Sequence, residues 1–221
     1  MLADVQELVG DLVRDDASRI SPDQRDRAIG LAVVQYSKDR PRRAVEDIAG
    51  DGGRRLALPA GAIRAEAVEY PVTDGTPVFL ATTAWGHYNA PNGPQLVFTR
   101  TIPAGAPLRL HLLRPHALTD AEDTIPLTDR EALASYAAAV LFDQIAATTS
   151  GDGNPTIPAD AVNHASKPES FAKRAERLRQ RYYDLLGIDV KRTQPASAMA
   201  VQPLAASDGG HRLTHYRRRW R

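Results

Sequence analysis

The residues of this chain with the means to bind metal or move protons are six histidines and 27 carboxylates, because cysteine is absent. His111 and His116 stand five apart among leucine and proline, not in the helical i, i+4 pair with an intervening glutamate that hydrolytic zinc sites use. Asp160 and His164 are four apart, but Asn163 and Ser166 read as turn and cap residues leading into a helix. Lone histidines of this kind mostly satisfy local hydrogen bonds. No Gly-x-Ser-x-Gly elbow presents a serine, and without cysteine there is no thiol nucleophile. Gly50-Asp-Gly-Gly53 lacks the lysine and helix start of a phosphate cradle, and Gly151-Asp-Gly153 lacks a strand before it. The carboxylate pairs Asp15-Asp16 and Glu122-Asp123 fall in polar loops, where capping or solvation accounts for them. The sequence therefore predicts a protein that is not an enzyme, with no catalytic residue, no cofactor and no metal.

What remains is the chemistry of recognition. The last eleven residues, His211 to Arg221, carry five arginines with Tyr216 and Trp220. Residues 169–221 hold 12 Lys and Arg against 5 Asp and Glu, which leaves 16 basic and 22 acidic groups before them, so the formal net charge of +1 hides two ends of opposite sign. Asymmetry of this kind favours partners of opposite charge, and paired aromatics and arginines are the residues that anchor interfaces. Tyr216, Arg217, Arg218, Arg219, Trp220 and Arg221 are the predicted docking residues. Lys173, Arg174, Arg177, Arg179 and Arg181 add a second basic stretch, which makes non-specific DNA binding the rival reading. Against it, Glu169, Glu176 and Asp184 share that stretch, and no DNA- or RNA-binding signature accompanies it.

The elements that must position these groups are legible from periodicity. Leu2, Val5, Leu8, Val9, Leu12 and Val13 recur at helical spacing. Ser21-Pro22-Asp23-Gln24 is a capping box with proline at the first helical position, Ala28, Ile29, Ala32, Val33 and Tyr36 mark a buried face, and Pro41 stops the helix. From Asp51 the texture changes to short runs broken by Gly and Pro. Strands are predicted at 56–58, 65–72, 78–83, 95–100 and 107–113, with turns at Asn89–Gly93 and Ile102–Gly105 joining the third to the fourth and the fourth to the fifth. Thr128-Asp-Arg-Glu131 and Ser166-Lys-Pro-Glu169 read as two more capping boxes, the first opening an alanine-rich helix, the second a helix closed by Gly187. Residues 189–210 lack periodicity and are expected to be extended or disordered when alone. No apolar run approaches the roughly 20 residues that span a bilayer, so a soluble chain is expected. The predicted class is α+β: helical parts at 1–50 and 119–188, a β-rich insertion at 51–118 and a tail at 189–221.

In order of elements the chain resembles the head–tail adaptor (connector) proteins of tailed bacteriophages. The likeness is carried by Arg14-Asp-Asp16, by Asp26-Arg-Ala-Ile29 to Tyr36-Ser-Lys-Asp-Arg-Pro41, by Val68-Glu-Tyr-Pro71, by Asp123-Thr-Ile-Pro126 and by residues 172–187. The resemblance implies a four-helix adaptor core with a small antiparallel β insertion. It implies a structural virion protein in the neck, assembled in the host cytoplasm as a homo-oligomeric ring of twelve subunits. Its partners would be the portal protein, reached by the C-terminal segment, and the next neck or tail protein (stopper or tail), with DNA passing through the lumen without sequence specificity. The β insertion exceeds that of the all-helical members.

Overall fold

In the computed structural model the described residues are 2–14, 19–150 and 166–189. Residues 1–187 make one compact unit. Its secondary structure mixes helix with antiparallel sheet, so the α+β class holds.

Helix α1 spans Leu2–Val13 and buries Val5, Val9 and Val13, one residue per turn. Helix α2 spans Pro22–Asp39 and begins as the sequence predicts. The Gln24 amide donates to the Ser21 hydroxyl at 3.2 Å, the Ser21 amide donates to Gln24 Oε1 at 2.9 Å, and Pro22 needs no partner there. It stops before Pro41, whose ring disfavours helical backbone at the residue ahead of it. Helix α3 spans Arg130–Thr149 and helix α4 spans Ser166–Leu186, with Gly187 in the left-handed region at φ 65° beyond it.

Helix α3 is the hub. It packs against α1, α2 and α4, and Ala132, Ala134, Ala137, Ala138 and Ala139 are all buried along with Leu133, Leu141, Phe142 and Ile145. Small side chains are thus buried on faces of α3 beyond the one that carries Leu133, Leu141 and Ile145. Methyl groups keep the cylinder thin enough for three neighbours to approach.

The capping box expected at Thr128 does not form. A 3₁₀ turn at Leu127–Asp129 precedes α3, Asp129 takes the N-cap position without a side-chain cap, and the Thr128 hydroxyl donates to the Asp129 carboxylate at 3.0 Å. Buried partners draw that carboxylate away from the helix amides.

Between α2 and α3 lie six strands, β1 Arg42–Ala49, β2 Arg55–Ala57, β3 Arg64–Glu69, β4 Trp85–Ala90, β5 Gly93–Phe98 and β6 Pro107–Arg114. They form two antiparallel sheets in the orders β1-β6-β3 and β2-β5-β4. Leu108, Leu110 and Leu112 alternate along β6 and share a core with Val68, Leu96 and Phe98 from both sheets. Gly50 sits where Ile102 and Pro103 cross the chain, and a Cβ there would lie 2.4 Å from the Pro103 carbonyl oxygen.

Three strand expectations need correction. Arg42–Ala49, assigned above to the helical side of the boundary at residue 50, is a strand paired along its whole length with β6. Its alternation was masked because charged residues fill positions on both faces. Residues 78–83 are not a strand; Phe79 makes only an isolated bridge to Glu69, and Val78 and Phe79 are exposed. The strand before the hairpin turn is Trp85–Ala90, in register with β5 from Trp85↔Phe98 to Ala90↔Gly93. Glycine and asparagine within it hid its strand character. The turn at 102–105 exists, with the Ala106 amide donating to Pro103 oxygen at 3.1 Å, but it carries the chain from one sheet to the other rather than closing a hairpin.

Because α3 is enclosed, Ala138→Leu is expected to lower stability by about 1–3 kcal/mol through overpacking. Urea unfolding checks this, and an unchanged midpoint would contradict the enclosed-helix arrangement.

Candidate functional site

The predicted docking residues Tyr216, Arg217, Arg218, Arg219, Trp220 and Arg221 lie outside the described residues, as do Asp160, His164 and the pair Asp15-Asp16. The functional features that the described part builds are a polar junction, a groove beside it and several exposed apolar surfaces.

The junction is centred on Asp129, which is buried where α3 begins. Its Oδ2 accepts from the Tyr36 hydroxyl at 2.6 Å and from Arg40 Nη1 at 3.0 Å, and Arg40 Nη2 reaches on to the carbonyl of Leu186 at the end of α4 at 2.5 Å. One carboxylate and one guanidinium thereby tie the ends of α2 and α4 to the start of α3. Burial works to raise the Asp129 pKa, but the hydrogen bonds from Tyr36 and Thr128 and the charge of Arg40 outweigh it, leaving the group below the ordinary carboxylate value. Burial, with the Asp129 carboxylate as its acceptor, pushes the Tyr36 hydroxyl far above the ordinary tyrosine value, so it stays a donor. Tyr182 repeats the pattern, donating to Asp39 at 2.6 Å, with burial the main cause of its raised pKa.

The histidines serve local structure where they are described. His116 packs against Tyr36 with ring centroids 4.9 Å apart and planes tilted by 60°, its Nε2 lies 2.9 Å from the Arg40 carbonyl, its Nδ1 lies 3.0 Å from the Thr124 carbonyl, and its amide donates to the Ser37 hydroxyl at 2.9 Å. It joins the loop after β6 to the end of α2. His87 Nε2 accepts from the Ala65 amide at 3.0 Å, so it is the neutral ring, and burial with the nearby Arg64 charge lowers its pKa. His111 lies against Phe79, ring centroids 5.3 Å apart, and its Nε2 is buried without a partner. Among the described residues no three His, Asp or Glu side chains gather to hold a metal, and no helix is long and apolar enough to cross a membrane.

The cations of α4 are largely engaged within the chain. Lys173 pairs with Glu169 at 2.7 Å, Arg174 lies over the Phe142 ring at 4.4 Å, Arg179 pairs with Asp143 and Arg181 with Glu131. The last two pairs clamp α4 onto α3. Sequence spacing cannot show such pairing, because the acids come from another helix.

A groove of about 810 Å³ opens beside the junction, between the end of α2 and the sheet that holds β1, β3 and β6. Lys38, Arg40, Arg42, Arg43 and Arg64 line it together with Asp39, Glu66 and Asp129. Sequence reasoning missed it, since the basic run at 38–43 is interrupted by Asp39 and Pro41 and meets Arg64 only through the fold. Elsewhere, apolar side chains stand exposed: Leu31 and Val34 on α2, Val45 on β1 at 57% and Leu127 at 75%.

No protein-family model matches the chain, and no curated protein matches its sequence.

Replacing Asp129 with Ala strands Arg40 and Tyr36 and is expected to cost about 2–4 kcal/mol. The pKa of Asp129 is depressed on folding, so its contribution is complete above the unfolded value near 4 and is lost as pH falls through the folded one. Asp129→Asn is expected to flatten the acid limb of stability against pH, read by thermal melts; an unaltered acid limb would contradict the junction's role.

Proposed function

We propose that this chain is a structural subunit of the neck of a tailed bacteriophage, a head–tail adaptor that docks as a ring beneath the portal. The observation that carries the reading is the arrangement of α1, α2 and α4 about the small-residue helix α3, with the β sheets inserted between α2 and α3. That arrangement accords with the chain order of a four-helix adaptor core bearing a β insertion. In this reading Tyr216 to Arg221 form the docking peptide for the portal, and the β insertion meets the next neck or tail protein.

Two further observations support an assembly role. Exposed apolar side chains occur on separate elements, Leu31 and Val34 on α2, Val45 on β1 and Phe79 between β3 and β4. A ring requires such unlike faces, since each subunit presents one surface to its neighbour and a different one to the next. The α4 cations, held by Glu169, Asp143 and Glu131, weigh against the rival in which that helix grips DNA. A mixed-charge wall also suits a lumen through which DNA must move, because counterion release on a uniformly basic wall would retain it.

Deleting residues 207–221 is expected to leave a folded protein that no longer attaches to portal-containing heads. Loss of a single interface aromatic or desolvated arginine typically costs more than about 2 kcal/mol, and a symmetric ring multiplies it. Side-by-side portal and DNA binding of intact and truncated protein decides between the readings. Unchanged portal attachment overturns the docking peptide, and a loss confined to salt-sensitive DNA affinity favours the DNA-binding alternative.

A further inference from the structure

The groove beside Asp129 carries an uneven charge account. Each of its carboxylates is already engaged: Asp129 with Tyr36 and Arg40, Glu66 with Arg43 at 3.1 Å, and Asp39 with the Tyr182 hydroxyl and Gln35. Arg42 is held by Glu122 at 3.2 Å on the rim. Among the described residues neither Lys38 nor Arg64 has a carboxylate partner. Tyr182 and Gln35 are neutral donors and leave the Asp39 charge in place, but Lys38 and Arg64 together exceed it, so the uncancelled charge of the groove is positive, its free cations standing at the end of α2 and the start of β3.

We infer that this groove is a docking site for an extended acidic peptide segment of a partner protein, its carboxylates met by Lys38 and Arg64. Three features of the groove favour a peptide over a nucleic-acid backbone. Its volume of about 810 Å³ falls in the range that seats small ligands and short chain segments. Pro41, Leu113 and Pro126 supply apolar lining between the charges, which side chains use and phosphates do not. Glu66 and Asp39 stand in the walls, where a strand bearing a charge every roughly 3.4 Å would meet repulsion. An extended peptide places carboxylates of alternate residues on one face about 7 Å apart and leaves space for those acids. A bound carboxylate would also compete with Glu66 for Arg43, whose guanidinium offers a planar fork. The inference does not depend on the chain being a neck protein.

The test is fluorescence anisotropy of a labelled alternating Glu-Ala peptide, whose glutamates fall on one face when it is extended, titrated with the full-length protein at low ionic strength. Saturable binding is expected, about tenfold weaker in the double variant Lys38→Ala/Arg64→Ala. Arg177→Ala, which removes an exposed cation of α4, should leave affinity unchanged. Glu66→Gln frees Arg43 and should tighten binding severalfold, a gain that misfolding cannot imitate. Absence of saturable binding, or equal affinity in the double variant, overturns the inference. Displacement of the peptide by duplex DNA through Lys38 and Arg64 overturns the peptide assignment in favour of a nucleic-acid site.

Discussion

The arrangement depends first on a carboxylate that cannot be left alone. Asp129 is buried at the point where the chain returns from the β sheets to the helices, and an unpaired charge there would cost several kcal/mol. Its partners come from elsewhere in the chain: Tyr36 and Arg40 lie more than 80 residues before it, and Arg40 extends the link to Leu186. Satisfying one charge thus fixes the ends of three helices. Apolar burial along α3 would tolerate sliding of its neighbours, because alanine surfaces are smooth; the hydrogen bonds at Asp129 do not tolerate it.

The same economy governs the surface. On the sheet holding β1, β6 and β3, Arg109 bonds Asp47 at 2.7 Å on the face away from Leu110 and lies 3.7 Å from the buried Glu69, while Arg114 bonds Glu46 at 2.5 Å on the opposite face. The pairs with Asp47 and Glu46 contribute little to stability individually, since water still reaches both partners. Their effect is to cancel charge, so what remains to distinguish one surface from another is apolar exposure and the few cations without partners. A raw count of arginines overstates how much of this molecule is available to an anion. Helix α4 illustrates it: its basic sequence is mostly the other half of ion pairs with α3 and with itself.

The helices were legible because their signals are local. A capping box at Ser21, a glycine beyond Leu186 and valines at four-residue spacing each act within one turn. The strands were legible where apolar alternation was strong, as at Leu108, Leu110 and Leu112, and obscure where pairing rather than composition made the strand. Trp85–Ala90 has an exposed, polar middle and owes its form to the turn that pairs it with β5. Arg42–Ala49 was hidden by four charged residues whose partners lie far along the sequence, Glu122, Glu66, Arg114 and Arg109. The failed cap at Thr128 has the same origin, since Thr128-x-x-Glu131 matches the local pattern while Tyr36, Arg40 and Arg181 recruit its acids. Long-range pairing overrode local rules at Arg42–Ala49 and at Thr128, and the groove, assembled from α2, β1, β3 and the loop before α3, is itself a product of that pairing.

Only Arg40 and Pro41 separate α2 from β1, so the sheets are joined to the helices through a link with almost no slack. His116 closes a second link on the return path, holding the Arg40 carbonyl and the Ser37 hydroxyl from the far side of β6. The two links converge on the residues that line the groove. A segment seated between Lys38 and Arg64 would contact both the helical and the sheet parts at their point of attachment, so its binding energy would oppose any rocking of one against the other. A partner engaging this groove would therefore stiffen the attachment on which the orientation of the β sheets depends, coupling occupancy to geometry without any change of fold.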